Sequence, residues 1–358
     1  MPLQPEEMQR YSRQILLPEF GIAGQERLKK ARTLIIGAGG LGSPAALYLA
    51  AMGVGTIGIV DNDNVAISNL HRQILYRESD VGESKAALAK KQLSGINPNS
   101  TIIAFEKRLT PENAIGILTD FDLVLDGSDN FSTRYLVNDT CLVLGIPLIS
   151  ASILRFEGQL TVLCTDDGPC YRCLFPQPPN ADEAPSCAEA GVMGALAGVM
   201  GTMMAMEAVK LLAKIGEPLA GRLLLYDALS ANVRTFTVNH DPTCPACSIP
   251  LSDRKLFDSY EFDDCNDTVD EITWEAFQEH HLPLIDVREE WEFASTPSTG
   301  KLIPLGSLLD RIQELPNEAF AIVCASGIRS LRAVTILRER GIKVKSIRGG
   351  MSSRIDQQ

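Results

Sequence analysis

Three groups of residues in this 358-residue sequence have types and spacings that suit chemistry. Gly37, Gly39 and Gly42 follow a β-branched run in TLIIGAGGLGSP with GxGxxG spacing. Four cysteines form two CxxC pairs, and another cysteine begins the loop CASGIR. Glycines in such a turn let the backbone approach a phosphate closely, and the following helix offers unpaired N–H groups to it. The turn therefore predicts nucleotide binding, and the cysteines predict metal or sulfur chemistry.

The residues after the turn favour ATP over a dinucleotide. Asp61 closes the strand TIGIVD nineteen residues after Gly42, where a carboxylate accepts hydrogen bonds from ribose hydroxyls. The glycines alone do not distinguish NAD from ATP. Asn69, Arg72 and Lys85 follow, and cations suit displacement at an α-phosphate because charge builds on the phosphoryl oxygens and the leaving group. Hydride transfer needs no such cations.

A magnesium site is predicted just past the strand DLVLDGSD. Asp129 and Asn130 lie there, at the carboxyl edge of the predicted sheet, where ligands collect. One carboxylate can hold Mg²⁺ while phosphates complete its coordination shell. The alternative for the cations is a set of surface ion pairs. In that case Arg72, Lys85 and Arg134 would pair with Glu78, Glu83 and Asp139.

The two CxxC pairs predict a structural zinc site. They are Cys170 and Cys173 in PCYRC, and Cys244 and Cys247 in PTCPAC. Four thiolates suit tetrahedral Zn²⁺ and leave no open position for a catalytic water. A lone CxxC would be compatible with a redox motif, but two pairs favour zinc.

Three further cysteines have different predicted roles. Cys187 in PSCAEAG precedes a predicted helix start, where it is either a nucleophile of lowered pKa or a packing residue. Cys141 and Cys164 lie in apolar runs and are predicted to be inert core thiols.

The segment IVCASGIRSLRAV predicts a second reactive thiol. Cys324 ends a buried strand and the next helix begins near Arg329. The loop between them can point backbone N–H groups at the sulfur, while Arg329 and the helix N-terminus add positive potential. Such a nest stabilises a thiolate or a persulfide anion.

The elements that must position these residues form an α/β protein. From Thr33 to about Ile153 strands alternate with helix-length segments, which predicts a doubly wound, Rossmann-like domain. Antiparallel strands over Phe156–Cys164 and Arg222–Val238 flank an apolar segment, Gly191–Met206, predicted to be a buried helix with Gly194 and Gly198 as a packing face. The predicted division is a domain at 1–249, a linker at 250–269, and a smaller α/β domain at 270–358.

Composition excludes some partners. A net charge of −12 without a dense Lys/Arg cluster argues against nucleic acid, and no segment is expected to span a membrane. The first residues lack the basic and apolar pattern of a secretory signal, so a cytoplasmic protein is expected. Nine cysteines in that setting indicate metal or thiol chemistry rather than disulfides.

Several uncommon motifs occur in order between residues 8 and 249: RYSRQILLPEFGIAGQERL, GAGGLGSP, IVDNDNVAISNLHRQ, VLDGSDNFSTRYLVND, PCYRC and SCAEAGVMG. Together they resemble the MoeB/ThiF adenylyltransferases, bacterial relatives of ubiquitin-activating enzymes. The resemblance implies that ATP reacts with the C-terminal glycine carboxylate of a small ubiquitin-like sulfur carrier of MoaD or ThiS type, ending in Gly-Gly. The products would be an acyl-adenylate and pyrophosphate.

The same resemblance implies roles for individual residues. Arg13 in RYSRQ would reach the phosphates of a neighbouring subunit, which implies a homodimer. An equivalent of Cys187 is proposed to exchange a thioester or persulfide with the carrier. The nucleotide and Mg²⁺ would be bound by Arg13, Gly37, Gly39, Gly40, Gly42, Asp61, Asn69, Arg72, Lys85, Asp129 and Asn130. The catalytic residues would be Arg72, Asp129, Cys187 and Cys324.

Residues 270–351 resemble a rhodanese domain, through LIDVREEWEF, CASGIR and IRGGM. In that family the active cysteine carries a transferable sulfur, and residues matching Asp286 and Arg288 brace the active loop. The usual His-x-x-Gly-Ala stretch is replaced by ASTPSTGKLIPL, and the closing GGxxxW pattern becomes GGMSSR. The six-residue loop favours sulfur over phosphate, because a related phosphatase family has a longer loop.

The two halves together predict carrier adenylation followed by sulfur transfer from a Cys324 persulfide, which would give a thiocarboxylate. The sulfur donor would be a cysteine desulfurase or thiosulfate. Activation of molybdopterin synthase is favoured because SCAEAGVMG and RFEGQ look more like MoeB than ThiF. Thiamine, cysteine and tRNA-thiolation carriers are alternatives. An NAD-dependent oxidoreductase and a non-catalytic carrier-binding scaffold are the competing functions.

Overall fold

The structure, a computed structural model, describes residues 2–166, 168–178, 191–257, 260 and 271–355. The described chain divides into two compact units, the first ending with Tyr260 and the second beginning with Glu271. Both units are α/β, and the predicted fold class is confirmed. The predicted limits at residues 249 and 270 stay predictions.

The first unit is built on a mixed sheet of eight strands. Its first five strands run parallel in the order β3-β2-β1-β4-β5, and three antiparallel strands, β6, β7 and β8, extend it. The strands are β1 (Arg32–Ile36), β2 (Thr56–Val60), β3 (Thr101–Phe105), β4 (Leu123–Asp126), β5 (Leu148–Leu154), β6 (Glu157–Leu163), β7 (Arg222–Asp227) and β8 (Asn232–Thr237).

Helices cover both faces of the parallel strands, as their continuous apolar runs require. One hydrophobic cluster includes side chains of α4, α5 and α9, and the other includes side chains of α6 and α7. The helices of this unit are α1 (Pro5–Arg10), α2 (Ser12–Ile15), α3 (Gly21–Lys30), α4 (Gly42–Ala51), α5 (Lys85–Ile96), α6 (Pro111–Leu118), α7 (Phe131–Leu144), α8 (Tyr171–Leu174) and α9 (Gly194–Ala213).

Helix α9 is long and apolar enough to cross a membrane by length and composition, yet half of it is buried inside the first unit. It packs on α4 and β5, as predicted for a buried helix. Its close contacts differ from the predicted pair. A Cβ on Gly194 would overlap the His71 carbonyl and one on Gly201 would overlap the Leu41 carbonyl, whereas Gly198 has open space around it. The packing face is therefore Gly194 with Gly201, two turns apart.

The second unit has a five-stranded, all-parallel sheet in the order β11-β10-β12-β13-β9. Helices again lie between the strands along the chain, which is the pattern expected for parallel connections. Its elements are β9 (Glu271–Ile272), α10 (Trp274–Glu279), β10 (Leu284–Asp286), α11 (Glu290–Ser295), β11 (Lys301–Leu302), β12 (Phe320–Val323), α12 (Ile328–Arg338), β13 (Val344–Ile347) and α13 (Ser352–Ile355).

The start of the second unit corrects one prediction. The pattern of EITWEAFQEH predicts a capped helix, but Glu271 and Ile272 form β9. Ile272 pairs with Ile347 of β13 and is buried, so an apolar contact distant in sequence overrides the helical pattern. The helix begins only after Thr273, whose hydroxyl accepts a hydrogen bond from the Ala276 amide as an N-cap.

The described part of the predicted linker packs on the first unit. The Arg254 guanidinium donates hydrogen bonds to the carbonyls of Leu142 and Cys247, and Tyr260 is buried. A buried ring and a hydrogen-bonded guanidinium are not expected in a free linker. Arg254 and Tyr260 therefore pack as part of the first unit. Residues 261–270 lie outside the described residues. The Pro-rich, acidic segment PQPPNADEAPS, 176–186, is predicted from the sequence to be a mobile loop, and its residues 179–186 also lie outside them.

We predict that Gly42→Ala disrupts the nucleotide turn. The added Cβ would overlap the Gly37 carbonyl oxygen, and overpacking of this kind costs about 1–3 kcal/mol of unfolding free energy. Thermal denaturation and ATP titration should show a lower Tm and weaker binding. Gly198→Ala is the control, because its Cβ meets nothing and Ala is the better helix former. Equal Tm values for Gly42→Ala and the unaltered chain would contradict the packing.

Candidate active sites

The glycine turn leads from β1 into α4 and lies against the carboxyl ends of the neighbouring strands. Gly37 has a φ of +87°, a conformation that residues with a Cβ rarely adopt, and its amide donates to the Val60 carbonyl at 2.8 Å. A Cβ on Gly37 would lie 3.1 Å from the Gly127 carbonyl oxygen. The turn after β1 therefore lies against the segment after β4, at the carboxyl edge where ligands of such sheets bind.

Asp61 holds the turn from the neighbouring strand end. Its carboxylate accepts hydrogen bonds from the Ala38 amide at 2.8 Å and the Asp63 amide at 2.9 Å. Burial raises the pKa of Asp61, and the two amides and Lys85 oppose that rise. Each carboxylate oxygen keeps a second lone pair, so Asp61 can still accept from a ribose hydroxyl.

Lys85 is buried at the start of α5, with its ammonium 2.8 Å from the Asp63 carboxylate. The Tyr76 hydroxyl lies 3.0 Å from the Ala38 carbonyl and 3.2 Å from the Lys85 carbonyl, so it joins the turn to α5. Sequence reasoning assigned no role to Tyr76 or Asp63. The only signal was that Tyr76 ends the run SNLHRQILY and that Asp63 lies two residues after Asp61.

Arg72 lies over the turn with its charge unpaired by any carboxylate of the described residues. Its guanidinium donates to the Ser68 carbonyl at 2.9 Å and lies 2.8 Å from His71 Nε2. A Cβ on Gly40 would meet the Arg72 side chain at 3.5 Å. The Asn69 amide oxygen accepts from the Ala66 N–H at 3.2 Å.

The ion pairs in the structure differ from the surface pairs that were the alternative prediction for the cations. Lys85 pairs with Asp63, and Asp139 pairs with Arg172 at 2.7 Å. Arg134 is buried and donates to the carbonyls of Ser128 and Ala151. Its guanidinium therefore links the segment after β4 to the middle of β5.

The segment after β4 contains the predicted magnesium ligand. Asp129 is exposed, whereas the Asn130 amide oxygen caps α7 by accepting from the Thr133 amide at 2.8 Å. Nearby, Gln73 Oε1 and Ser128 Oγ are buried and have no hydrogen-bond partner among the described residues. Buried polar atoms of this kind bind water or a ligand, so both are available to a bound nucleotide.

Two further residues are predicted to act at this site, Arg13 and Cys187. Arg13 is exposed on α2, in a structure that holds one chain. Cys187 lies outside the described residues.

The four cysteines of the CxxC pairs come together as predicted. All four sulfurs lie within 4.8 Å of one another. The Cys170 sulfur is 3.9 Å from that of Cys173 and 3.6 Å from that of Cys244, and the sulfurs of Cys173 and Cys247 are 3.4 Å apart. Zn–S bonds of about 2.3 Å in a tetrahedron place sulfurs roughly 3.8 Å apart, so the cluster fits zinc. The hydrogen bond between Cys247 and Cys170 lowers the pKa of Cys170 and raises that of Cys247, so Cys170 is the first of the two to become a thiolate.

Cys324 lies at the end of β12, buried inside its loop. The Gly327 amide donates to its sulfur at 3.1 Å, and the Ser330 hydroxyl is 3.5 Å from it. The Ser330 oxygen is also 2.7 Å from the Ser346 hydroxyl. The predicted loop around the sulfur is present. The Gly327 amide is a donor to the sulfur, whereas the Ser330 hydroxyl donates to the Gly327 carbonyl at 2.8 Å.

Arg329 interacts electrostatically with the Cys324 sulfur, as predicted, but an acidic side chain also binds it. Its guanidinium makes two bonds to the Glu292 carboxylate, at 2.6 and 2.7 Å. This pair raises the pKa of Arg329 and lowers that of Glu292. The cation of the loop is therefore matched by an anion.

Comparison with known proteins decides the family. The model described as the ThiF family matches residues 11–246, and the model described as a rhodanese-like domain matches residues 270–354. The chain belongs to the ThiF family and carries a rhodanese-like domain. The family predicted from the motifs is confirmed for both halves.

Curated relatives support the same assignment, and two of them match almost the whole of this chain. The sulfur carrier protein adenylyltransferase of Thermus thermophilus is 53% identical over 72% of this chain and 97% of its own length. The probable adenylyltransferase/sulfurtransferase MoeZ of Mycobacterium tuberculosis is 44% identical over 95% of this chain and 90% of its own. The adenylyltransferase and sulfurtransferase MOCS3-1 of Zea mays is 40% identical over 96% and 80%. This ThiF-family chain is an adenylyltransferase and sulfurtransferase.

A solved structure agrees with the fold of the first unit. Escherichia coli MccB with ATP has a TM-score of 0.60 and 23% identity, covering 66% of this chain and 73% of that one. At this identity the likeness shows the fold alone.

The ThiF-family unit has a buried cation that sequence reasoning missed. Arg172, between the cysteines of the first CxxC pair, lies over the rings of Tyr135 and Phe257 at 4.7 and 4.2 Å. Its partner Asp139 also accepts from the Tyr260 hydroxyl at 2.8 Å. The segment after the second CxxC pair is thereby fixed to the cysteine cluster. Only the position of an arginine between two zinc ligands signalled this role.

The rhodanese-like unit uses its Asp286–Arg288 pair in a way that differs from the expectation. The two side chains are buried and form an ion pair at 2.7 Å. Arg288 donates to the Thr296 carbonyl, and Asp286 accepts from the Ser298 hydroxyl. The described side-chain bonds of the pair thus brace residues 296–298, where the usual histidine motif is replaced, rather than the active loop.

Cys141 and Cys164 are buried, as predicted for core thiols. Burial raises the pKa of both well above its usual value. A thiol that stays protonated is a poor nucleophile, so these two cysteines are inert.

We predict that the purified protein holds one zinc ion per chain and that Cys244→Ser loses it. Removing one of four thiolates leaves an incomplete tetrahedral set, and structural zinc contributes directly to folding. Elemental analysis should show the loss of metal, and thermal denaturation a lower Tm. Cys324→Ser, which removes a thiol outside the cluster, should keep the metal. Full zinc content in Cys244→Ser would contradict the site.

Proposed function

We propose that this chain activates a small ubiquitin-like sulfur-carrier protein and then converts its C-terminal carboxylate to a thiocarboxylate. The observation that carries the first step is the arrangement of cations around the glycine turn. Arg72 lies over the turn without a carboxylate partner in the described chain, and Lys85 is buried beside Asp61. The naming of a relative as a sulfur carrier protein adenylyltransferase supports the choice of substrate.

In the adenylation step the carrier carboxylate attacks the α-phosphorus of ATP. The bond from the α-phosphorus to the bridging oxygen breaks, and its electron pair leaves with pyrophosphate. Arg72 and Lys85 stabilise the charge that develops on the phosphoryl oxygens, while Asp61 orients the ribose. Asp129, exposed at the sheet edge, would hold Mg²⁺, which neutralises phosphate charge when bound.

In the sulfur-transfer step Cys324 carries the sulfur as a persulfide. Its outer sulfur attacks the acyl-adenylate carbon and AMP leaves, which gives an acyl disulfide. A second thiol, either Cys187 or a free thiol reductant, then attacks the Cys324 sulfur and releases the thiocarboxylate. The resulting disulfide is reduced by cellular thiols. The Gly327 amide, which donates to the sulfur, stabilises its anionic form.

We further propose a cytoplasmic homodimer in which Arg13 reaches the phosphates bound by its partner. The seven described cysteines are all free, as is usual in a reducing compartment. The sulfur donor is a cysteine desulfurase or thiosulfate. An NAD-dependent oxidoreductase is disfavoured, because hydride transfer needs no cations at this turn.

We place the carrier in molybdopterin synthesis, on the sequence likeness of SCAEAGVMG and RFEGQ to MoeB. The deciding experiment incubates the protein with ATP, thiosulfate and each candidate carrier, followed by mass measurement of the carrier. Exchange of one carboxylate oxygen for sulfur in a molybdopterin carrier alone is the expected result. Exchange only in a thiamine or tRNA-thiolation carrier would move the protein to that pathway.

We predict that Lys85→Met lowers carrier-dependent pyrophosphate exchange by about 100-fold, because one buried cation at the developing charge is lost. Lys91→Met is the control, since Lys91 is exposed on the same helix. Both variants should retain thiosulfate sulfurtransferase activity in the second unit. Unchanged exchange in Lys85→Met would argue against adenylation at this turn.

We predict that Cys324→Ala abolishes thiosulfate sulfurtransferase activity and leaves pyrophosphate exchange intact, because the persulfide has no other attachment point. The two assays run on the same preparation, with Cys324→Ala and Lys85→Met giving opposite patterns. Loss of both activities in Cys324→Ala would show that the sulfur-transfer chemistry and the nucleotide chemistry are not separate.

A further inference from the structure

An acidic side chain lies at the thiol loop of the second unit without a role in the sulfur-transfer chemistry. Glu292, on α11, bonds Arg329 through both carboxylate oxygens. The side chains of Glu292 and Arg329 are mostly buried, with 14% and 21% exposure. A bidentate pair with this burial is held more firmly than a surface ion pair.

Arg329 is the one cation of the loop CASGIR, so its pairing decides the charge that a donor meets. Glu289 precedes α11 and also interacts electrostatically with Arg329. Glu290 follows it and is exposed. Arg288 is already paired with Asp286, and Arg332 is exposed one turn further along α12. The two buried arginines beside the loop, Arg288 and Arg329, are therefore each matched by a carboxylate.

We propose that Glu292 is a specificity-determining residue that selects against small dianionic sulfur donors in favour of a persulfide carried on a cysteine thiol. This inference rests on the proposed persulfide of Cys324 and names the class of donor that loads it. A dianion such as thiosulfate would need Arg329, which Glu292 occupies. A thiol persulfide brings its transferable sulfur with at most one negative charge, located on the sulfur itself.

Both donors react by the same bond changes. The Cys324 thiolate attacks the outer sulfur of thiosulfate, the S–S bond breaks, and its electron pair leaves with sulfite. With a thiol persulfide the same attack expels the donor thiolate. In the assay cyanide then takes the outer sulfur as thiocyanate and restores the Cys324 thiolate. Only the charge of the leaving group distinguishes the donors, and that charge is what Glu292 opposes.

The test compares four forms of the full chain: unaltered, Glu292→Gln, Glu290→Gln and Arg329→Gln. Glu292→Gln removes the charge and keeps an oxygen that accepts from Arg329 and from the Glu289 amide. Glu290→Gln is the matched control, since it removes one exposed charge from the same helix. The donors are thiosulfate and the persulfide of 2-mercaptoethanol, with cyanide as the acceptor.

For thiosulfate, KM should fall about tenfold in Glu292→Gln with kcat changed less than about twofold, because a charge near the binding position is removed. Arg329→Gln should shift KM in the opposite direction, since it leaves Glu292 unpaired. Glu290→Gln should behave as the unaltered chain, and KM for the organic persulfide should stay constant throughout. A purely structural pair would instead lower kcat in both pair variants.

Two results would overturn the inference. One is an unchanged thiosulfate KM in Glu292→Gln, and the other is a shift of the same size for both donors. Measuring the mass of the protein after reaction with each donor distinguishes failure of this inference from failure of the proposed function. If no donor adds sulfur to Cys324 in the unaltered chain, the proposed function fails. If sulfur is added and the KM values do not move, only the role of Glu292 fails.

Discussion

The nucleotide site depends on three places where main chain touches main chain. The Gly42 Cα lies against the Gly37 carbonyl, Gly194 against His71, and Gly201 against Leu41. A side chain at any of the three glycines would separate the segments. These contacts bring together the turn, the start of α4, the start of α9 and the segment that carries Arg72. The arginine lies over the turn because α9 is packed against the backbone beneath it.

A layer of side-chain bonds then orients the turn. Ala38 has both backbone groups bound, its amide by Asp61 and its carbonyl by Tyr76. Tyr76 is also bonded to the Lys85 carbonyl, so the turn and the buried lysine share one hydroxyl. A buried network in which the members satisfy one another fixes a single geometry, which is what stabilisation of a short-lived transition state requires.

Local signals predicted much of this arrangement. The GxGxxG turn, the CxxC pairs and the strand–cysteine–helix loop are each read within about a dozen residues, and all are present. What could not be predicted depends on residues distant in sequence. Arg172 meets Tyr260 through Asp139, Glu292 meets Arg329, and a two-residue strand forms at Ile272 because β13 covers it. The sequence alone does not show which of the many acidic residues will contact a given arginine in the fold.

The two units treat charge in opposite ways, although both are α/β folds with reactive groups at the ends of parallel strands. The ThiF-family unit leaves Arg72 without a carboxylate in the described chain, as binding a polyphosphate requires. The rhodanese-like unit pairs Arg329 with Glu292, and the Gly327 amide donates to its sulfur. Phosphoryl displacement spreads charge over several oxygens and needs a positive field. Sulfur transfer keeps the charge on the sulfur that moves, so a neutral donor beside a neutralised cation is sufficient. The chemistry of each unit therefore follows from the groups around its reactive atoms and not from the α/β class to which both units belong.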